Sequence, residues 1–353
     1  MALESYLGQF IDFTVPQLNA MAGWIRTWDS YHQHPITVHP EGNSPGVYSA
    51  ILSTGAAGDW LDAVSYYAHA VEDGTPGNAN IPFDSAEPHQ YDKGVEVLRA
   101  IFSAPPYNRR AVISVDEQGH HLLGASGRDS ATPYSASSPY ISYLASPAGR
   151  RRLALYDILF SGGNLEWYGG YGMLMDGFDA CGNMLLAGTN HGGGDVSIEE
   201  FRSREELWAQ TGVARRFLLG FPYWEAVPND TVRIVGEKHD GPSLPPYGAL
   251  WGQAQVFERV TPSGSPDQTF HLVYYPDVSA PSDLGSIDLS YTTTSTSFSF
   301  RLFRPDTGVP VTPTIYLTST GGGTHNLASS LFPGGAGWPS MVTPDLIMIV
   351  VRL

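Results

Sequence analysis

Two stretches of the sequence decide the fold: residues 111–117 are Ala-Val-Ile-Ser-Val-Asp-Glu, and residues 164–171 are Asn-Leu-Glu-Trp-Tyr-Gly-Gly-Tyr. Each is a short β-favouring run that carries carboxylate side chains, and each follows a stretch with helical spacing of apolar residues. The first run is largely apolar on both faces, which is typical of parallel strands covered on both sides. Together they predict two neighbouring strands of an α/β barrel.

Strand and helix patterns alternate from residue 12 to residue 220, with residues 40–60 as a Gly/Ser/Pro-rich loop. Apolar residues at helical spacing predict helices over residues 12–30, 91–102, 147–160 and 198–219. β-Favouring runs predict strands over residues 35–39, 60–67, 111–115 and 164–171. A complete (β/α)8 barrel has eight such units in about 250 residues, so these four predict its C-terminal half.

The pattern changes near residue 232, after which we predict no helix. Seven short β-favouring runs follow, separated by Gly, Pro, Asp and Ser, over residues 231–234, 254–258, 270–274, 286–291, 297–303, 314–318 and 346–351. Such spacing is typical of a β-sandwich. The sequence therefore predicts a partial barrel over residues 1–228 and a β-sandwich over residues 229–353.

Composition excludes several classes of protein. The chain has 353 residues and a formal net charge of −16, which disfavours a nucleic-acid partner. Cys181 is the one cysteine, so no intrachain disulfide can form. The N-terminus has no signal-peptide pattern, and the apolar run at residues 346–351 is far shorter than the roughly 20 residues of a membrane span. We expect no membrane partner.

Carboxylates and aromatic rings follow the predicted strands, where barrel enzymes place their working residues. His39, Asp116 and Glu117 follow two strands, and Glu166-Trp167-Tyr168 closes another, with Tyr171 just beyond. Glycoside hydrolysis uses two carboxyl groups on either side of the bond that is cut. Aromatic rings stack on the apolar faces of sugars, so this combination favours a carbohydrate site.

Structural roles compete with this interpretation. Asp116 and Glu117 could form a helix cap or a solvated turn, and Glu166 could be a buried carboxylate paired with Arg202 or Arg204. The aromatic residues and His39 could serve packing alone. The basic run at residues 150–152 is interpreted as a solvated helix face.

Motifs for other chemistries are missing from the sequence. It contains no Gly-x-Ser-x-Gly, no phosphate-binding Gly-x-x-x-x-Gly-Lys-Ser/Thr, no His-Glu-x-x-His and no Cys-x-x-Cys. The acidic loop at residues 176–183 matches no calcium-loop spacing. We therefore predict neither a metal nor another cofactor.

Five segments resemble a bacterial group of glycoside-hydrolase-like TIM barrels that carry a C-terminal β-domain named for collagen binding. They are residues 28–39, 110–119, 159–171, 200–208 and 221–225, with the tail from residue 271 similar to the β-domain. The resemblance implies that residues 35–39, 111–117 and 164–171 are strands five, seven and eight. It also implies that Glu117 is the nucleophile of a retaining enzyme, that Glu166 and Trp167 lie in the floor of the sugar site, and that the family is secreted or periplasmic.

The resemblance also implies an acid/base carboxylate at the end of strand four, before the first helix. Residues 7–11 are Leu-Gly-Gln-Phe-Ile and hold no carboxylate at the matching place, and the first four strands would have to precede residue 12. Three hypotheses follow: a glycoside hydrolase, inactive as this chain alone; a non-catalytic carbohydrate-binding, collagen-binding or adhesion protein; and a truncated fragment. Open barrel edges predict self-association in the last case.

Overall fold

A computed structural model describes residues 4–5, 13–31, 34–40, 44–53, 60–67, 91–105, 107–117, 129, 147–167, 204–229, 234–236, 254–260, 269–291, 296–319, 323–338 and 345–353. The chain divides into two compact units. Unit one contains residues 1–127 and 163–200, and unit two contains residues 128–162 and 201–353. Each unit is described by itself.

Unit one alternates strands and helices, as the sequence predicts. Its elements are β1 (Glu4–Ser5), α1 (Val15–Trp28), β2 (His39–Pro40), α2 (Ser44–Ser53), β3 (Ala63–Tyr67), α3 (Tyr91–Ser103), β4 (Val112–Glu117) and β5 (Asn164–Leu165). Helix α2 lies in the region predicted to be a loop, so that prediction is wrong. Tyr48, Ile51 and Leu52 are buried at helical spacing, and this apolar face outweighs the Gly, Ser and Pro content around it.

Strands β3, β4 and β5 form a parallel sheet in chain order. Its buried face holds Val64, Tyr66, Ile113 and Val115. The other face carries Val112, which is 55% exposed, and Ser65, which is 2% exposed. The expectation that residues 111–115 are covered on both faces is therefore wrong at Val112, whose side chain points away from the buried face because alternate side chains of a strand point to opposite faces.

Strand β2 continues this arrangement on the far side of β3. The extended chain before β2 lies beside β3, where the Asp62 N–H donates to the Ile36 carbonyl at 3.0 Å. Strand β1 pairs parallel with β2, and Glu4 stands in register with His39. The carboxyl ends of these strands therefore point the same way, which brings the residues that follow them to one edge.

Unit two is dominated by antiparallel strands, with helices α4 (Pro147–Phe160) and α5 (Glu205–Leu218) before them. The strands are β6 (Val227–Pro228), β7 (Ile234–Val235), β8 (Gln255–Arg259), β9 (Phe270–Tyr275), β10 (Ser286–Asp288), β11 (Thr296–Phe303), β12 (Ile315–Ser319), β13 (Thr324–Asn326) and β14 (Leu346–Arg352). Each of the seven predicted runs contributes a strand, and β6 and β13 were missed because they are only two and three residues long.

The strands of unit two form two sheets. One has the order β12-β11-β14-β9-β8-β6, the other β13-β10-β7. Alternate side chains from both sheets share one apolar core, which includes Val273, Phe300 and Met348 from the large sheet and Ile287 from the small one. A short helix, α6 (Leu327–Leu331), adds Leu327 and Leu331 to the core, against the prediction of no helix after residue 232.

Helix α4 packs on the opposite face of the large sheet. The Tyr156 ring stacks on Tyr274 at a centroid distance of 5.2 Å, and Phe160 stacks on Phe257 at 6.2 Å. These aromatic contacts bury the helix along most of its length and assign it to unit two.

The basic start of α4 is buried, so the interpretation of this run as a solvated face is wrong for two of its three residues. Arg151 is 0% and Arg152 is 4% exposed. Arg152 Nε donates to Asp345 Oδ2 at 2.6 Å, and Arg151 is paired with Asp129, which also accepts from the Glu206 N–H at the start of α5. Buried cations need such partners, and single-sequence patterns do not show partners 193 residues away.

The protein is thus mixed helix and sheet, with a parallel sheet and separate antiparallel sheets. Over the described residues the parallel strands do not close into a barrel. The predicted boundary at residue 228 stays a prediction, although contacts group α4 and α5 with the antiparallel unit. Within the described ranges there is no helix that is long and apolar enough to cross a membrane.

Candidate functional site

Three polar side chains from neighbouring strands meet at the carboxyl edge of unit one. His39 Nδ1 lies 2.6 Å from Ser65 Oγ and 3.3 Å from Asp116 Oδ1, and Ser65 Oγ donates to Asp116 Oδ2. We call these residues the edge cluster. The His39 and Asp116 side chains are 14% and 25% exposed, so the cluster is partly shielded and still reachable from solvent.

The hydroxyl of Ser65 fixes the direction of the hydrogen bonds in the edge cluster. Its one proton goes to Asp116, because a carboxylate can only accept. His39 Nδ1 therefore carries a proton and donates to Ser65 Oγ. In the neutral imidazole the other ring nitrogen, Nε2, is then the acceptor, which suits it to bind a hydroxyl or to take a proton.

A β-bulge places Asp116 in the edge cluster. Tyr66 pairs with Val115, and Tyr67 pairs with Glu117, so Asp116 has no partner on β3. A bulge inserts one residue into a strand and redirects its side chain, and bulges are common next to active sites. The register shift thus lets Asp116 reach Ser65 across the sheet.

Tyr48 supports the edge cluster from beneath. Its hydroxyl oxygen accepts from the Ser65 N–H at 2.9 Å and lies 2.8 Å from the Ser65 carbonyl and close to the Val38 carbonyl. Burial raises the pKa of Tyr48 far above its ordinary value, so the hydroxyl stays neutral and can donate. Tyr48 therefore ties β3 to the segment before His39.

Strand β5 adds a second carboxylate to the same edge. Glu166 Oε1 accepts from Ser114 Oγ at 2.8 Å, and the Glu166 N–H donates to the Val115 carbonyl at 3.0 Å. Glu166 is exposed, so the alternative of a buried carboxylate is wrong, and Arg202, one of its two suggested partners, lies outside the described residues. Trp167 beside it is half-buried, as a ring partly available to a ligand requires.

Several predicted site residues lie wholly or partly outside the described residues. Glu117 belongs to β4, and its side chain is not described; Tyr168 and Tyr171 lie outside the described ranges altogether. Among the predicted site residues, the structure brings His39 and Asp116 into contact and places Glu166 on the adjoining strand.

Ser65 and Tyr48 were missed by the sequence analysis. Ser65 lies within Ala-Val-Ser-Tyr-Tyr of β3, where one small polar residue interrupts an apolar run, and that interruption was the available signal. Tyr48 was hidden because its helix was predicted to be a loop. Neither residue belongs to a motif that could have identified it.

Unit two contains a second histidine–carboxylate cluster, which is sealed inside the fold. His271 Nδ1 lies 2.7 Å from Glu258 Oε2, and His271 Nε2 lies 2.8 Å from the Tyr291 hydroxyl. Asn229 Nδ2 donates to Glu258 Oε1 at 2.6 Å. We call these four residues the core cluster; His271 and Glu258 are 0% and 3% exposed, so no substrate reaches them.

Within the described ranges no three His, Cys, Asp or Glu side chains come close enough to hold a metal ion. Comparison of the sequence with known protein families gives no match, and comparison with curated proteins gives none either.

Proposed function

We propose that the protein is glycoside-hydrolase-like and holds a glycan at the carboxyl edge of unit one. The observation that carries this proposal is the convergence of His39, Ser65, Asp116 and Glu166 from four consecutive parallel segments at one edge. Neutral imidazole, hydroxyl and carboxylate groups are the partners that sugar hydroxyls need. Trp167, half-buried beside Glu166, supplies a ring for a sugar face.

The proposed fold is the C-terminal half of a (β/α)8 barrel followed by a β-sandwich. Parallel strands in chain order, with helices α1, α2 and α3 connecting β1 to β4, support this assignment for unit one. Two antiparallel sheets around one apolar core support it for unit two. By the resemblance, unit two would be the β-domain named for collagen binding.

For hydrolysis we assign Glu117 as nucleophile and Glu166 as proton donor. Glu117 holds the nucleophile position by the resemblance. Asp116 is already engaged by Ser65 and His39, so its role in this scheme is to orient the imidazole. Glu166 is the exposed carboxylate directly after β5, at the same edge, where a glycosidic oxygen could reach it. A retaining mechanism needs the two carboxyls about 5–5.5 Å apart.

The test is turnover of aryl glycosides and neutral polysaccharides by the full chain and by matched Glu→Gln variants. If the scheme holds, Glu117→Gln abolishes turnover, and Glu166→Gln lowers it strongly for poor leaving groups while sparing good ones. Glu225→Gln, an exposed glutamate of unit two, is the control and keeps wild-type rates. Turnover retained by Glu117→Gln removes that residue from the mechanism.

A second function, glycan binding without hydrolysis, is favoured by the edge cluster, in which Asp116 is already engaged by Ser65 and His39. Hydrolysis needs two carboxyl groups placed on either side of the bond that is cut, whereas binding needs only hydrogen-bonding groups and a ring. Binding to the same polysaccharides without release of reducing ends, and weakened by Asp116→Asn, supports this second function over the first. Self-association of two copies through β1 and β5 would pair these open edges, and sedimentation tests it.

A further inference from the structure

Three large aromatic side chains stand in solvent along α1 and the turn that follows it. Trp24, Trp28 and Tyr31 are 70%, 83% and 73% exposed. We call them the aromatic ledge. They include the two most exposed tryptophans among the described residues, and such rings normally bury most of their surface.

The geometry of α1 puts the ledge on its outer side. Leu18 and Ala22 are buried on the opposite face of the helix. Trp24 and Trp28 are four residues apart, so their positions along the axis differ by about 6 Å, one helical turn. Gly23 precedes Trp24, and nothing lies within 4 Å of the position that a Cβ would take there, so the helix surface is open at that point.

The turn after α1 holds Tyr31 in place. Asp29 Oδ1 accepts from the Tyr31 N–H at 3.1 Å and lies 2.9 Å from His34 Nδ1, and Asp29 Oδ2 accepts from the His34 N–H at 3.2 Å. The Tyr31 and His34 rings meet edge to face at 5.8 Å. The third ring is therefore positioned before any ligand arrives, which lowers the entropic cost of binding.

Charge favours a neutral partner for the ledge. Arg26, the cation of α1, is already engaged: it pairs with Asp62 and donates to the His34 carbonyl at 2.7 Å and to the Trp60 carbonyl at 3.1 Å. The chain carries a net charge of −16, which repels a second copy of itself and any polyanion. A neutral polymer carries no charge, so the negative charge of the protein does not repel it.

The exposed area of the ledge also favours a small linear ligand over a protein partner. If each ring offers about 200 Å², three rings that are roughly three-quarters exposed present on the order of 450 Å². A stable protein partner usually covers about 800 Å² on each side. The ledge is too small for that, and three exposed rings in a short row offer a surface that the flat sugar faces of a linear chain can cover.

We infer that the aromatic ledge binds a neutral linear polysaccharide by stacking sugar rings on Trp24, Trp28 and Tyr31. This site is separate from the edge cluster and needs no carboxylate. The ledge would hold the protein on a polymer whether or not the edge cluster cleaves that polymer. Loss of polymer binding and loss of turnover can therefore be told apart.

Affinity electrophoresis of the full chain in gels containing glucomannan, arabinoxylan or hydroxyethylcellulose tests the site, with polygalacturonate as the anionic polymer. We expect retardation by at least one neutral polymer and none by polygalacturonate. Trp24→Ala/Trp28→Ala should weaken binding roughly tenfold or more, since removing two ring contacts removes at least about one tenfold step in affinity. Trp224→Ala is the matched control: Trp224 is 68% exposed in unit two, and its loss should leave binding unchanged.

Three results would overturn the inference. They are no retardation by any neutral polymer, equal retardation of the double variant and the wild type, and a dimer in sedimentation that the double variant converts to monomer. The last would make the ledge a protein interface. Both tryptophans are exposed, so the variants should fold with stability within about 0.5 kcal/mol of wild type, which circular dichroism during heating checks.

Discussion

The edge cluster of unit one and the core cluster of unit two use the same chemical groups in opposite surroundings. Each joins a histidine, a carboxylate and a hydroxyl: His39, Asp116 and Ser65 in one, and His271, Glu258 and Tyr291 in the other. In the edge cluster the carboxylate is 25% exposed, whereas in the core cluster both charged side chains are at most 4% exposed. The chemical groups alone therefore do not distinguish a functional site from a structural network. The exposure of their side chains does.

The strands explain the difference. In unit two, Glu258 and His271 are register partners on antiparallel strands, and their side chains lie on the face that packs against the second sheet. In unit one, a bulge and the ends of parallel strands bring the groups to an edge that no second sheet covers in the described ranges. Removing a member of the core cluster should therefore affect folding, and removing a member of the edge cluster should affect binding.

The largest effect is expected for Glu258→Ala. It leaves the His271 ring and the Asn229 amide without their buried partner, and breaking a buried pair typically costs about 3–5 kcal/mol. Urea unfolding followed by near-UV circular dichroism measures the loss. Glu225→Ala is the control in the same unit, because Glu225 pairs with Arg259 while 45% exposed, and surface pairs contribute about 0–1 kcal/mol. Similar losses for the two variants would contradict the distinction.

Tyr48→Phe should have the next largest effect, this time in unit one. It removes the acceptor of the Ser65 N–H and leaves that donor buried, which costs about 1–3 kcal/mol. The amide hydrogen of Ser65 should exchange faster, and the free energy of opening derived from its exchange rate should fall by a similar amount. Tyr31→Phe, an exposed tyrosine, is the control and should change stability by less than about 0.5 kcal/mol. Unchanged exchange at Ser65 would show that Tyr48 does not hold β3.

Much of the secondary structure could be predicted because its signals are local. The helix over residues 147–160 and the strands from 255 to 352 follow from side-chain period and turn residues. Helix α2 could not, because its ten residues contain Ser, Pro and Gly and its apolar face matters only once α3 packs on it, as the Tyr48–Phe102 ring contact shows.

The candidate site was predicted only in outline. His39, Asp116 and Glu166 could be selected because they follow strands and carry reactive groups. Ser65 could not be assigned a role, since its importance comes from a one-residue register shift on the neighbouring strand. Arg152 was placed in solvent because its partner, Asp345, lies at the start of the last strand. Long-range pairing and bulges are not encoded in any local window.

Ser65→Ala should change stability less than Tyr48→Phe does. The substitution removes the hydroxyl that links His39 to Asp116 and should lower the free energy of unfolding by about 1 kcal/mol. A more specific result is expected at the His39 ring, because Nδ1 loses the Ser65 hydroxyl as its acceptor. Nδ1 must then donate directly to Asp116 Oδ1, which lies 3.3 Å away in the wild type. Nitrogen-15 shifts of the His39 ring measure this change. Ser103→Ala, an exposed serine of α3, should leave them unaltered. Unaltered shifts in Ser65→Ala would contradict the proposed direction of the hydrogen bonds.

The smallest effect concerns the turn that carries Tyr31. The hydrogen bond from the His34 side chain lowers the pKa of Asp29 from 3.8 to about 2, with smaller help from the His34 and Tyr31 amides. Because the folded pKa is the lower one, the stabilisation is complete above pH 3.8 and is lost as the pH falls from 3.8 to about 2. His34→Ala should raise the Asp29 pKa towards 3.8 without reaching it, since both backbone donors remain. Carboxyl carbon-13 titration measures the value. His325→Ala, in unit two, is the control and should not move it. An Asp29 pKa that stays near 2 in His34→Ala would mean that the two amides alone hold the turn.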